Sequence, residues 1–201
     1  SNIFLFLFLP IVIIVNWLIK PKYSNIFLLL ASLLFYAWGE PIYVLLMLFS
    51  TFSDYFHGIL IGKVRGKGLK KVFLVSSVVV NLGVLGFFKY ADFAIGVVNG
   101  VLGLEIPFLN LPLPIGISFY TFQTMSYTID VYRRTAKVQN NVIDFGAYVA
   151  MFPQLIAGPI VRYKTVAHEI ETRHESLDDF AYGARRFMFG LFTFSSAYGY
   201  R

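Results

Sequence analysis

The sequence contains no cysteine, so it can build neither a disulfide framework nor a cysteine metal site, and its redox compartment cannot be read from thiols. Charge is scarce too. Asp, Glu, Lys and Arg together make up 14% of the 201 residues, against 57% apolar ones, which is far from the make-up of a water-soluble domain. There is no HExxH pair, no Walker loop, no dinucleotide glycine fingerprint and no GxSxG elbow. The common soluble enzyme classes therefore find no foothold. Internal repeats and low-complexity tracts are absent as well.

What remains is apolar sequence in abundance. A mean hydropathy of +0.68 exceeds what filling one core requires and makes lipid the expected solvent. The 22 Phe and 13 Tyr suit helices that meet acyl chains along their faces and headgroups at their ends. A net charge of +6 and a pI near 9.5 raise the possibility of nucleic acid. The cations, however, fall in short clusters between apolar runs, whereas a nucleic-acid module carries them on one soluble face. Nucleic acid is excluded as a partner.

Crossing a bilayer takes roughly 20 apolar residues in a helix. The sequence predicts an all-α polytopic membrane domain over residues 1–201, with spans at 3–19, 25–38, 42–61, 69–88 and 111–131. A segment at 142–160 is interrupted by Pro153 and by Gly158-Pro159, and an incomplete helix occupies 180–200. The stretch from Phe93 to Leu104 is short and holds three glycines, so it is expected at the interface or in a partly inserted hairpin. The first span lacks a basic leader and a small-residue cleavage motif, and so reads as a retained helix. Lys and Arg stay on the cytoplasmic side. With the N-terminus outside, and with 142–160 entering and leaving on one face as a re-entrant segment, every cation except Lys89 and Arg201 falls inside. Irregular backbone at membrane depth needs surrounding protein or a water-filled cavity, so a re-entrant segment implies a cavity.

Three constellations could carry chemistry. In LPLPIGISFYTFQTMSYTIDVYRR, Pro112, Pro114 and Gly116 mark an irregular approach to a helix. Tyr120, Gln123, Tyr127, Asp130 and Arg134 then follow at steps of three and four, which puts them on one face. Such a face either bonds to neighbouring helices or lines a polar passage. In FPQLIAGPIVRY, Gln154 sits beside one proline break and Arg162, with Tyr163, just past the other. Arg162 could grip a phosphate or carboxylate or simply anchor the loop at the headgroups. Asp54 and His57 lie three apart within a span, as a functional site or a mutually satisfied pair. His168 and His174 belong to a charged stretch that reads as a solvated loop. None of these groups forms a metal-ligand pattern.

Across those two long motifs, and in SNIFLFLFLP, LLLASLLFYAWGEP and FFKY, the sequence resembles the membrane-bound O-acyltransferase family. Within it, the likeness is to the subfamily of membrane subunits of bacterial alginate O-acetyltransferases. The resemblance implies a multi-pass protein of the bacterial inner membrane with a central tunnel. It further implies a cytoplasmic acyl donor, such as acetyl-CoA or an acyl carrier, as substrate in place of a bound cofactor. The acceptor would be a hydroxyl of an extracellular or cell-wall polysaccharide, reached directly or through an accessory periplasmic or extracellular acyltransferase. Chemistry in this family centres on a membrane-embedded histidine in a later segment, expected beyond Arg201, so no catalytic role passes to His57, His168 or His174. After ARRFMFGLF the sequence departs from the subfamily and reads as truncated or frameshifted. The chain is thus expected to be a scaffold-and-tunnel fragment, inactive alone. A transporter would share the broken helices, though with an inverted second copy that these residues lack; a silent scaffold or gene remnant is the remaining alternative.

Overall fold

A computed structural model describes residues 3–155, 161–171 and 176–198. It divides into two compact units, Ser1–Glu171 and Thr172–Arg201. Among the described residues all regular structure is helical. In the first unit a π-helical turn, Phe4–Phe8, runs into α1 (Leu9–Leu18), followed by α2 (Pro21–Gly39), α3 (Val44–Lys63), α4 (Lys67–Leu102), α5 (Ile117–Tyr132), α6 (Val142–Ala150), α7 (Phe152–Leu155) and α8 (Tyr163–Glu171). The second unit holds α9 (Leu177–Tyr198).

Local chemistry sets these boundaries. Pro10 has no N–H, and its ring crowds the carbonyl four residues back, so the turn before it widens to π geometry with Leu9 N–H bonding to Phe4 O. Lys20 is extended, as a residue before proline must be, and Pro21 opens α2. The Asn141 side chain caps α6 by accepting from Ile143 N–H at 3.0 Å. In the second unit, Ser176 Oγ accepts from Asp179 N–H at 3.1 Å, and Asp178 and Asp179 sit favourably in the first turn of α9.

Two helices, Val44–Lys63 and Lys67–Leu102, are long and apolar enough to cross a membrane, and Phe4–Leu18 is a shorter apolar helix. Two helix boundaries differ from the bounds of the predicted spans. α4 does not stop at Phe88 but continues unbroken to Leu102, where Gly103 ends it in the left-handed region at φ +63°. α5 begins at Ile117, so residues 111–116 are not part of its span. The break within 142–160 falls at Met151, and Gly158-Pro159 lies outside the described residues.

The most extensive pairings are α3 with α5, α2 with α6, and α4 with both α5 and α3. Small residues permit the close approaches. A Cβ on Gly58 would stand 2.5 Å from a ring carbon of Tyr127, and one on Gly62 would overlap the Val138 side chain. Phe4, Phe8, Phe35 and Phe152 stack with ring centroids 5.1–6.0 Å apart, pinning the N-terminal helix and α7 to α2.

The same contacts collect the basic clusters at one end of the first unit. The Gly62–Val138 approach sets the loop carrying Arg133, Arg134 and Lys137 beside the end of α3 that carries Lys63. Asn25, just after Lys20 and Lys22, donates to Asp144 at 2.8 Å and to Ile170 O at 3.1 Å. Gln139 donates to Tyr163 Oη at 2.9 Å, next to Arg162 and Lys164. At the other end, Tyr43 packs edge-on against Phe88, and Tyr36 donates to Ile115 O at 2.8 Å.

Candidate functional site

α5 is the most polar of the buried helices. Along it Tyr120, Thr121, Gln123, Thr124, Tyr127, Thr128 and Asp130 are all buried. Four of the five residues predicted to share a face do so. Gln123 Nε2 donates to Tyr148 O at 2.8 Å, Tyr127 Oη accepts from Gln139 N–H at 3.0 Å, and Asp130 Oδ1 accepts from Thr135 Oγ1 at 3.1 Å. Arg134 is the exception. The helix closes before it in a Schellman arrangement, with Arg134 N–H on Val131 O and Thr135 N–H on Asp130 O. Arg134 takes the left-handed position at φ +61° and its side chain is exposed, away from the face.

The approach to α5 is held from the α7 side. At Gly116, φ is +77° and a Cβ would sit 2.8 Å from Leu155 O, so only glycine fits this junction. Around it and along α5, four buried polar atoms have no hydrogen-bond partner among the described residues: Tyr120 Oη, Thr121 Oγ1, Gln154 Oε1 and Asp130 Oδ2. An unpartnered buried polar group costs roughly 1–3 kcal/mol, so its presence calls for something else to bond. Past the break the chain returns: Tyr148 Oη donates to Val161 O at 2.8 Å, and Tyr163 meets Gln139 near the basic end. Tyr163 is buried and Arg162 exposed.

Asp54 and His57 do not bond to each other. Asp54 is fully buried and accepts from Ser77 Oγ at 2.6 Å and from Asn81 Nδ2 at 2.9 and 2.7 Å, while Ser77 also meets Thr128 Oγ1 at 3.1 Å. His57 Nδ1 lies 2.7 Å from Ser53 O, and Nε2 lies 3.0 Å from Ser76 Oγ. Three residues on a helix subtend about 300°, so the two side chains diverge by roughly 60° and each meets a different part of α4. The side chains of His168 and His174 lie outside the described residues. Sequence reasoning passed over Ser77, Asn81, Thr121, Thr124 and Thr128. Asn81 within a predicted span was the available signal, since an amide cannot face lipid cheaply.

No family model matches the chain, and no solved structure does. Along nearly all its length the chain is similar to proteins of the membrane-bound O-acyltransferase family. It is 45% identical over 198 residues to the probable alginate O-acetylase AlgI of Pseudomonas aeruginosa, covering 95% of this chain and 38% of that protein. The corresponding protein of Azotobacter vinelandii is 44% identical over 198 residues, covering 95% of this chain and 39% of the relative. A peptidoglycan O-acetyltransferase of Helicobacter pylori is 28% identical over 224 residues, or 97% of this chain and 42% of its own length. The chain thus spans about two-fifths of the length of the curated relatives it matches.

Proposed function

We propose that the chain forms the scaffold and part of the tunnel of a membrane O-acyltransferase that moves an acyl group, acetyl by the names of its relatives, across the membrane to polysaccharide hydroxyls. The donor is acetyl-CoA or an acyl carrier on the basic, cytoplasmic end. The acceptor is an extracellular or cell-wall polysaccharide, reached directly or through an accessory acyltransferase. Seven apolar segments cross or enter the inner membrane, the N-terminus lies outside, and 142–160 is re-entrant. Gathering the basic clusters at one end supports this orientation. Val161 lying beside Tyr148 supports the re-entrant path. The general base on the acceptor hydroxyl is a histidine other than the three in this chain; His57 is already committed to Ser53 and Ser76.

The observation carrying the tunnel reading is the set of unpartnered polar atoms at the start of α5 and on α7. Tyr120→Phe tests it, because the two roles predict opposite results. If the hydroxyl only packs, removing an unsatisfied group leaves acetyl transfer unchanged. If it faces the acyl path, transfer from labelled donor to exported polysaccharide by the full-length enzyme carrying the change falls roughly three- to tenfold, the worth of one hydrogen bond, while the protein level in the membrane holds. Uptake of substrate into vesicles without donor would favour a transporter instead.

A further inference from the structure

α4 is too long for the membrane it crosses. Its 36 residues extend about 54 Å at 1.5 Å per residue, against roughly 40–45 Å for a bilayer with its headgroups. The α3 helix ends opposite Phe88, where Tyr43 packs on it, so residues 89–102 of α4 run on past α3. The chain then turns at Gly103 and comes back along this overhang. Asn99 holds Ile106 through both its amide and its carbonyl, at 3.0 and 2.9 Å. Asp92 accepts from Leu109 N–H at 2.7 Å and Asn110 N–H at 3.0 Å, and Phe108 lies against Gly96. The result is a hairpin of helix and extended chain at the end opposite the basic loops.

Its surface is apolar on both layers. Phe93, Val97, Val101, Leu104, Ile106 and Phe108 are between 41% and 76% exposed, a run of exposed apolar side chains of the kind that marks a lipid or partner surface. Along its length Asp92 and Asn99 turn inward, while Glu105 at the turn is exposed. Asp92 and Asn99 spend their oxygens on the returning backbone, which is what lipid demands of non-helical chain. The exposed apolar face of the α4 span, at Val72, Val75 and Val79, also continues into the hairpin without a polar collar, save Lys89 and Tyr90, and meets an exposed carboxylate only at Glu105 on the turn. Lys89 lies over the Tyr90 ring at 5.5 Å, a pairing suited to snorkelling toward headgroups.

We infer that the apolar faces of the hairpin 89–113 are seated in the lipid of the leaflet opposite the basic loops, with Glu105 at its turn among the headgroups, as a membrane anchor beside the proposed tunnel. α4 is then tilted by roughly 35–40°, at the upper end of the range for membrane helices, which brings its whole length within the bilayer. The inference rests on the membrane reading of α3 and α4 and goes beyond it.

The absence of cysteine allows the test. Single spin labels are placed at Val97→Cys, Val101→Cys and Phe108→Cys in the complete chain in phosphatidylcholine–phosphatidylglycerol liposomes, with Val79→Cys and Gly66→Cys as span and loop controls. Accessibility to oxygen and to a water-soluble nickel complex is compared. Lipid seating predicts a shift toward oxygen at all three hairpin sites, matching Val79 and opposed to Gly66. Nickel access at the hairpin while Val79 favours oxygen overturns the inference and leaves the membrane reading intact; nickel access at Val79 as well overturns both. Labels immobile and shielded from both reagents would mean a protein partner covers the hairpin, and would also overturn it.

Discussion

Gly58 shows how much one hydrogen atom carries in this packing. The Tyr127 ring lies directly over it, with a ring carbon 2.5 Å from where a Cβ would stand. The ring cannot swing aside freely, because its hydroxyl holds Gln139 N–H and its edges meet Phe145 and Tyr163 at centroid distances of 4.6 and 5.1 Å. Gly58→Ala is therefore expected to destabilise the fold by roughly 1–3 kcal/mol, as overpacking does, lowering the midpoint of thermal unfolding in detergent. Gly83→Ala on α4, where a Cβ meets open space, should leave the midpoint unchanged or raise it. Spacing of three and four on α5 correctly placed Tyr120, Gln123, Tyr127 and Asp130 together. It could not place Arg134, since helical spacing holds only while the helix lasts, and the left-handed turn that ends α5 has no glycine to announce it.

At the scale of elements, the joint between α3, α4 and α5 is polar, not greasy. Asp54 on α3, Ser77 and Asn81 on α4, and Thr128 on α5 form a connected network in which the carboxylate's described partners are neutral donors. In lipid surroundings such bonds specify which helix faces meet, because no hydrophobic force distinguishes one apolar face from another. Asn81→Leu is expected to cost about 1–3 kcal/mol, the penalty for leaving a buried acceptor without its donor. Asp54→Asn combined with it should cost less than the two separately, and a double-mutant cycle in detergent unfolding measures that coupling. Additive costs would show that the network does not act as a unit. The helices of the apolar runs were legible from run length, but the extent of α4 was not, nor was α8, which forms within a charged stretch read as a solvated loop. Lys89 and Asp92 resemble the end of a span in sequence, and only the fold reveals that Asp92 serves the returning chain.

At the largest scale, the proposed sidedness rests on two lines: the clustering of Lys and Arg in sequence, and contacts that draw the clusters of the first unit to one end. The contacts make a sharper demand than the charge count. Gly62 against Val138 and Tyr55 on Asn140 O at 2.6 Å require the α3–α4 and α5–α6 loops to be neighbours, so no topology can separate them by a bilayer. Cysteines introduced one at a time at Gly66 and Lys137 should thus react together or not at all with a membrane-impermeant maleimide added to intact cells. With the basic end in the cytoplasm both are protected, while Glu105→Cys at the hairpin turn is labelled; permeabilising the cells exposes the first two. Labelling of Gly66→Cys and Lys137→Cys in intact cells would invert the molecule and put the donor at the wrong face of the proposed tunnel. Labelling of only one would contradict the packing of α3 on α5, on which the polar face of α5 depends for its burial.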